Sequence, residues 1–153
     1  MHRRLSLLFM ERRVSKRYVA LVTGHVGFAA GEVDLPLSSD WPNRPRQKVD
    51  LAVGKPSITR YRLLEHVEIP LLPSSQQDDL GFDASRVELE PLTGRTHQLR
   101  VHMAAIGHPI IGDALYGEEA GHKAERLLLH SQLLSFVHPL SGEQLTLTCR
   151  PPF

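Results

Sequence analysis

The densest run of polar, potentially reactive side chains is Gly94-Arg95-Thr96-His97-Gln98-Leu99-Arg100-Val101-His102. Leu99, Met103 and Ile106 recur there at helical spacing, which puts Arg100 beside the apolar stripe, at the edge of a buried face. A guanidinium keeps its charge in a protein. Near a core it therefore demands a carboxylate, a phosphate or water. Two readings follow: an arginine aimed into a cleft to hold an acidic group, or a rim arginine whose charge reaches solvent. Lys16-Arg17-Tyr18-Val19-Ala20 sets an aromatic ring at the start of a buried strand, next to two cations. That combination suits an extruded nucleotide, with the base on the ring and the phosphate on the cations. A tyrosine packed into the sheet is the plainer alternative. Trp41 carries the same pair of readings. It sits in Asp40-Trp41-Pro42-Asn43-Arg44-Pro45-Arg46-Gln47-Lys48, where the prolines argue for a rigid loop.

His97, His102 and His108 invite a metal, but their spacing misses the i, i+3 or i, i+4 pattern of two ligands on adjacent helical turns. No metal is expected, and a structural or RNA-contacting role is preferred. The fingerprints of serine hydrolases, P-loops and dinucleotide-binding folds are absent; Gly112-Asp113-Ala114-Leu115-Tyr116-Gly117 has the wrong glycine spacing. The single cysteine, Cys149, excludes an internal disulfide and a cysteine-based zinc site. No apolar run approaches the roughly 20 residues of a membrane helix, so no membrane association is expected, and the expected compartment is the cytoplasm.

These residues must be held by a chain of 153, enough for one domain with a sizeable core. Apolar residues make up 41% and charged ones 23%, which argues against disorder and coiled coil. The net charge of +1 is unevenly spread. Arg3, Arg4, Arg12, Arg13, Lys16 and Arg17 face only Glu11 in the first seventeen residues, and Arg44, Arg46, Lys48 and Lys55 form a second basic stretch. Such faces suit a polyanion or are simply solvated.

Residues 2–13 read as a helix with Leu5, Leu8 and Phe9 on one stripe. Residues 17–23 read as an inner strand. Val49 to Val53 and Ser57 to Val67 read as strands parted by Gly54-Lys55-Pro56, and residues 73–83 as an exposed acidic loop. Arg86 to Leu92 alternates, with Val87 and Leu89 inward and Glu88 and Glu90 outward. A tight turn at Gly94 then leads into a helix over 95–106, capped by Thr93 or Thr96 and stopped by Gly107 and Pro109. A strand over 127–136 turns through His138-Pro139-Leu140-Ser141-Gly142 into a last strand holding Leu145, Leu147 and Cys149. The class is α+β, with a largely antiparallel sheet and few short helices.

Together these segments resemble the RluA family of RNA pseudouridine synthases. The likeness rests on Lys16-Arg17-Tyr18-Val19-Ala20, on Leu92 through Met103, on Gly107-His108-Pro109-Ile110-Ile111-Gly112-Asp113 with Tyr116-Gly117, and on Leu127-Leu128-Leu129-His130. The loop from Asp40 to Val49 resembles that of dual-specificity members, which act on ribosomal and transfer RNA. The resemblance implies the pseudouridine synthase fold and isomerisation of uridine without metal, nucleotide or redox cofactor. It gives Tyr18 the role of stacking on a flipped-out base and Arg100 that of pairing with a catalytic aspartate. It also implies RNA contacts from Lys16, Arg17, Trp41, Arg44, Arg46, Lys48, Arg95, His97, Gln98 and His102, with stem-loops of 23S-type ribosomal RNA and of transfer RNA as partners.

In the family that aspartate lies in a His-Arg-Leu-Asp segment followed by Thr-Ser-Gly. Here His2-Arg3-Arg4-Leu5 is followed by Ser6. The expectation is a single domain, the C-terminal portion of a synthase catalytic domain, without turnover of its own. It is then a remnant that still binds RNA, or a fragment that self-associates through exposed sheet edge, whereas the full-length parent is monomeric. Asp113 sits in the family's turn motif and is not taken as the nucleophile. Arg100, without its aspartate, should be solvated, bound to an anion or paired with another carboxylate.

Overall fold

The computed structural model describes residues 2–11, 13–69, 81–119 and 124–153. Helix α1 (His2–Met10) leads into strand β1 (Val14–Thr23), which is followed by β2 (Ala30–Asp34), β3 (Leu37–Ser39), β4 (Gln47–Val49), β5 (Ile58–Ile69) and β6 (Phe82–Pro91). Helix α2 (Gln98–Ala105) follows, then β7 (Leu129–Val137) and β8 (Gln144–Thr148). No described helix is long and apolar enough to cross a membrane.

β1 carries aliphatic residues on both faces because both are covered: Val19, Ala20, Leu21 and Val22 are all buried. It lies inside a six-stranded sheet of order β2-β5-β6-β1-β7-β8, in which every pairing is antiparallel. On one face Ala20, Val22, Val87 and Leu89 pack against Leu99 and Met103 of α2 and against Ile110. On the other, Leu21 and Ala84 pack with Ile111. The alternation expected for β6 holds: Val87 and Leu89 are wholly buried, while Glu88 turns outward to Arg62 at 3.0 Å.

The structure departs from the sequence expectations at several places. Val49 to Val53 is no strand beyond Val49, because the Asp50 carboxylate accepts from the N–H groups of Ala52 and Val53 at 3.1 Å and folds the segment into a turn. The α1 stripe buries Leu8 but leaves Phe9 51% exposed. The second helix starts at Gln98, not residue 95, since His97 adopts a left-handed φ of 53° and no side chain caps the end. The Thr93 hydroxyl, expected as a cap, instead donates to Gln98 Oε1 at 2.7 Å. Of the predicted acidic loop, residues 73–80 lie outside the described residues, and Phe82 and Asp83 already belong to β6.

β3 and β4 form a separate hairpin whose tip is a 3₁₀ turn, Trp41–Asn43. The tip is shaped by local hydrogen bonds, including Asn43 Nδ2 to Asp40 Oδ2 at 2.9 Å. The hairpin projects beside α2, where Leu37 packs with Val101 and Tyr116.

Candidate active site

The turn between β6 and α2 is built around one buried amide. Gln98 Oε1 accepts from the Thr93 hydroxyl and the Arg95 N–H, and Gln98 Nε2 donates to Ile58 O and Thr59 Oγ1, all within 3.0 Å. Gln98 is 4% exposed, and its amide is saturated. These bonds fix the Gly94 turn against β5.

That turn and β1 enclose a hollow of about 200 Å³, lined among others by Lys16 and Tyr18 from β1, Arg95, His97 and Arg100 from the α2 end, and Leu129 from β7. Tyr18 and Arg100 thus share one cavity. Lys16 donates to Thr93 O at 3.4 Å, and burial lowers its ammonium pKa. Arg17, one residue on, points to the opposite face of the sheet, where its guanidinium lies 3.9 Å from Glu88. The pleat therefore puts Arg17 on the sheet face away from the cavity.

Arg100 has found another carboxylate. Its Nε and Nη2 donate to Asp113 Oδ2 and Oδ1 at 2.8 and 2.7 Å, a bidentate pair. The Asp113 side chain is 0% exposed and that of Arg100 18%. Asp113 Oδ1 also accepts from the N–H groups of Leu115 and Tyr116, closing the turn after Gly112. Burial pushes the Asp113 carboxyl pKa up, but the Arg100 guanidinium and the two N–H groups outweigh it and hold it below the usual carboxylate value. The same bonds raise the Arg100 pKa. Asp113 is thus a fixed counter-ion.

Beyond the Gly94–Arg95 turn lies a second, open groove of about 530 Å³, whose walls include Trp41, Lys48, Lys55 and Arg95. Trp41 is 67% exposed, and Arg44 lies over its ring at 3.4 Å. Arg46 reaches back over the Tyr116 ring at 5.4 Å. Of the expected RNA contacts, Lys16, Trp41, Lys48, Arg95, His97 and Gln98 line these two adjoining hollows, and Arg44 and Arg46 flank them.

His102 does not join them. It is 0% exposed, with one ring nitrogen against Thr59 Oγ1 and the other donating to Leu35 O, both at 2.9 Å. His102 is a core histidine that holds α2 to β5. Burial lowers its pKa, so the folded protein keeps it neutral, whereas the unfolded chain takes up a proton near pH 6.5. Below that value the unfolded state binds more protons, and stability must fall with pH. Urea midpoints measured between about pH 7.5 and 5.5 should decline steadily, and a flat response would contradict the assignment.

Asp113 and Tyr116 are the site residues that the sequence did not yield. The signal was present in the turn Gly112-Asp113 with Tyr116-Gly117 downstream of a helix that carries an arginine in need of a carboxylate.

The RNA pseudouridylate synthase family model matches residues 1–105. The chain is 48% identical, over 145 residues, to the dual-specificity RNA pseudouridine synthase RluA of Escherichia coli K12, covering 94% of this chain and 60% of that protein. To the RluA of Yersinia pestis it is 45% identical over 152 residues, covering 99% of this chain and 68% of that one. Among solved structures, human RNA pseudouridylate synthase domain containing 1 superposes with a TM-score of 0.79 at 35% identity, over 97% of this chain and 59% of the human one.

Proposed function

Because the chain belongs to the RNA pseudouridylate synthase family, we propose that its Tyr18–Arg100 cavity is the uridine-holding part of an isomerising active site. The substrate is structured RNA in the cytoplasm, with ribosomal and transfer RNA stem-loops as the candidates that the family resemblance implies. The observation that carries this is the opening of Tyr18 and Arg100 into one hollow. At about 200 Å³ it is smaller than the roughly 300 Å³ of whole-ligand pockets. It suits a single base turned out of its stack, and the Tyr18 ring offers the compensating stacking surface. Isomerisation breaks the bond from ribose C1′ to N1 and joins C1′ to C5 of the same base. The C5 proton leaves and N1 gains one, so atoms balance within the substrate. The family resemblance gives Tyr18 the further role of assisting the C5 proton's removal. The chemical step needs an aspartate beside Arg100, and Asp113, locked in its turn, is not free to supply it.

The chain spans about 60% of the Escherichia coli relative. We place it as the C-terminal portion of a single catalytic domain and assign the reacting aspartate to a segment outside these residues. Incubated alone with a ribosomal or transfer RNA stem-loop, the protein should bind RNA and form no pseudouridine. Its affinity should fall steeply with salt, since Lys16, Arg44, Arg46, Lys48 and Arg95 would each displace counterions from phosphate. Pseudouridine made by this chain would overturn the assignment of the aspartate. Absent or salt-insensitive binding would overturn the RNA reading.

A further inference from the structure

Tyr116 is buried, yet its hydroxyl is engaged well outside its own turn. The backbone N–H of Gln47 donates to it at 2.7 Å, and His97 Nδ1 lies 2.8 Å away. A backbone N–H can only donate, so the hydroxyl accepts from Gln47, and its second bond, to Nδ1, takes its direction from the imidazole tautomer. Burial, aided by the Arg100 charge, lowers the His97 pKa.

The geometry joins three parts of the molecule through this one residue. Gln47 opens β4 of the Trp41 hairpin, whereas His97 lines the Tyr18–Arg100 cavity. The Tyr116 backbone N–H and ring tie in the third part. The N–H is bound by Asp113, and the Arg100 guanidinium lies 5.0 Å from the ring centre. His97 stands in the left-handed region at φ 53°, a conformation that histidine holds only when its surroundings impose it. Its ring meets that of Tyr116 edge-on, with centroids 5.7 Å apart. A tyrosine that merely filled space would need none of these polar links.

We propose that Tyr116 is a positioning residue, whose hydroxyl bridge couples contacts made by the Trp41 hairpin to contacts made in the Tyr18–Arg100 cavity. The inference rests on the reading of both surfaces as RNA-binding. Without the bridge the hairpin still folds, but the angle at which it presents Trp41 and Lys48 beside the cavity is no longer fixed. RNA held by one surface then stops favouring the other.

Tyr116→Phe removes the bridge and keeps the ring, its packing and its contact with both arginines. Two measurements on the 153-residue protein decide the matter. In hydrogen exchange, the Gln47 amide should exchange about tenfold faster in Tyr116→Phe, with amides of β5 and β6 unchanged. Unchanged Gln47 protection would overturn the bridge, whatever the protein binds. In a double-mutant cycle on stem-loop affinity, Trp41→Ala and Lys16→Met should depart from additivity by about threefold or more with Tyr116 present. They should become additive to within about twofold on the Tyr116→Phe background. Additivity on both backgrounds would overturn the coupling. If the unaltered protein binds no RNA, the reading of function fails, while the Gln47 amide still reports on whether Tyr116 holds the hairpin.

Discussion

Asp113→Ala should destabilise the fold by about 3–5 kcal/mol, the range for breaking a buried ion pair from one side. The Arg100 guanidinium would keep its charge and lose both of its bonded oxygens, with only 18% of its side chain in solvent. The N–H groups of Leu115 and Tyr116 would lose their acceptor as well. Asp113→Asn should cost less, because an amide oxygen can still accept from that turn. Urea denaturation at neutral pH measures both variants; a loss below about 1 kcal/mol for Asp113→Ala would mean that Arg100 finds water easily. The sign of the acid response follows from the depressed carboxyl pKa. The pair's contribution is complete above the unfolded value near 3.9 and is lost as the pH falls through the lower folded value. Asp113→Asn should therefore flatten that part of the acid limb.

Gly112→Ala should be comparably damaging, at about 2–5 kcal/mol. Gly112 has a φ of +77°, which L-residues with a Cβ adopt at a cost. A Cβ there would also overlap the carbonyl oxygen of Arg126 and lie 2.6 Å from its carbon. Both groups are backbone, so neither can swing aside, and the turn that holds Asp113 must move. The two substitutions displace the same carboxylate. Combined, they should cost less than the sum of their separate effects. Full additivity in the same urea experiment would show that Gly112 and Asp113 act independently.

Much of the scaffold was legible because burial imposes period. Val87 and Leu89 alternate with Glu88 and Glu90 and do face opposite ways. Leu99 and Met103 lie on the buried face of α2 that their spacing predicts. Side chains that bond to nearby backbone were not legible. Asp50 converts an apolar run into a turn, and His97 delays a helix by adopting a backbone conformation that no periodicity reveals. The site divided in the same way. Tyr18 and Arg100 could be paired by motif and by the electrostatic need of an arginine near a core. That Arg100 takes Asp113 required knowing that the turn after α2 folds back onto it. The burial of His102 and Gln98 was not legible either, because polarity suggests a surface, whereas here each polar atom is matched inside.

The sheet's connectivity also bears on the order in which the molecule can assemble. Tyr18 is flanked by Leu89 on one side and Ser131 on the other, so both neighbours of β1 are synthesised long after it. On a ribosome β1 emerges as an apolar ribbon with two bare edges and waits several seconds for residues 82–91, then longer for 129–137. Such long-range closure makes folding slow. Until then the apolar strand that will later carry Tyr18 stays unpaired on both edges.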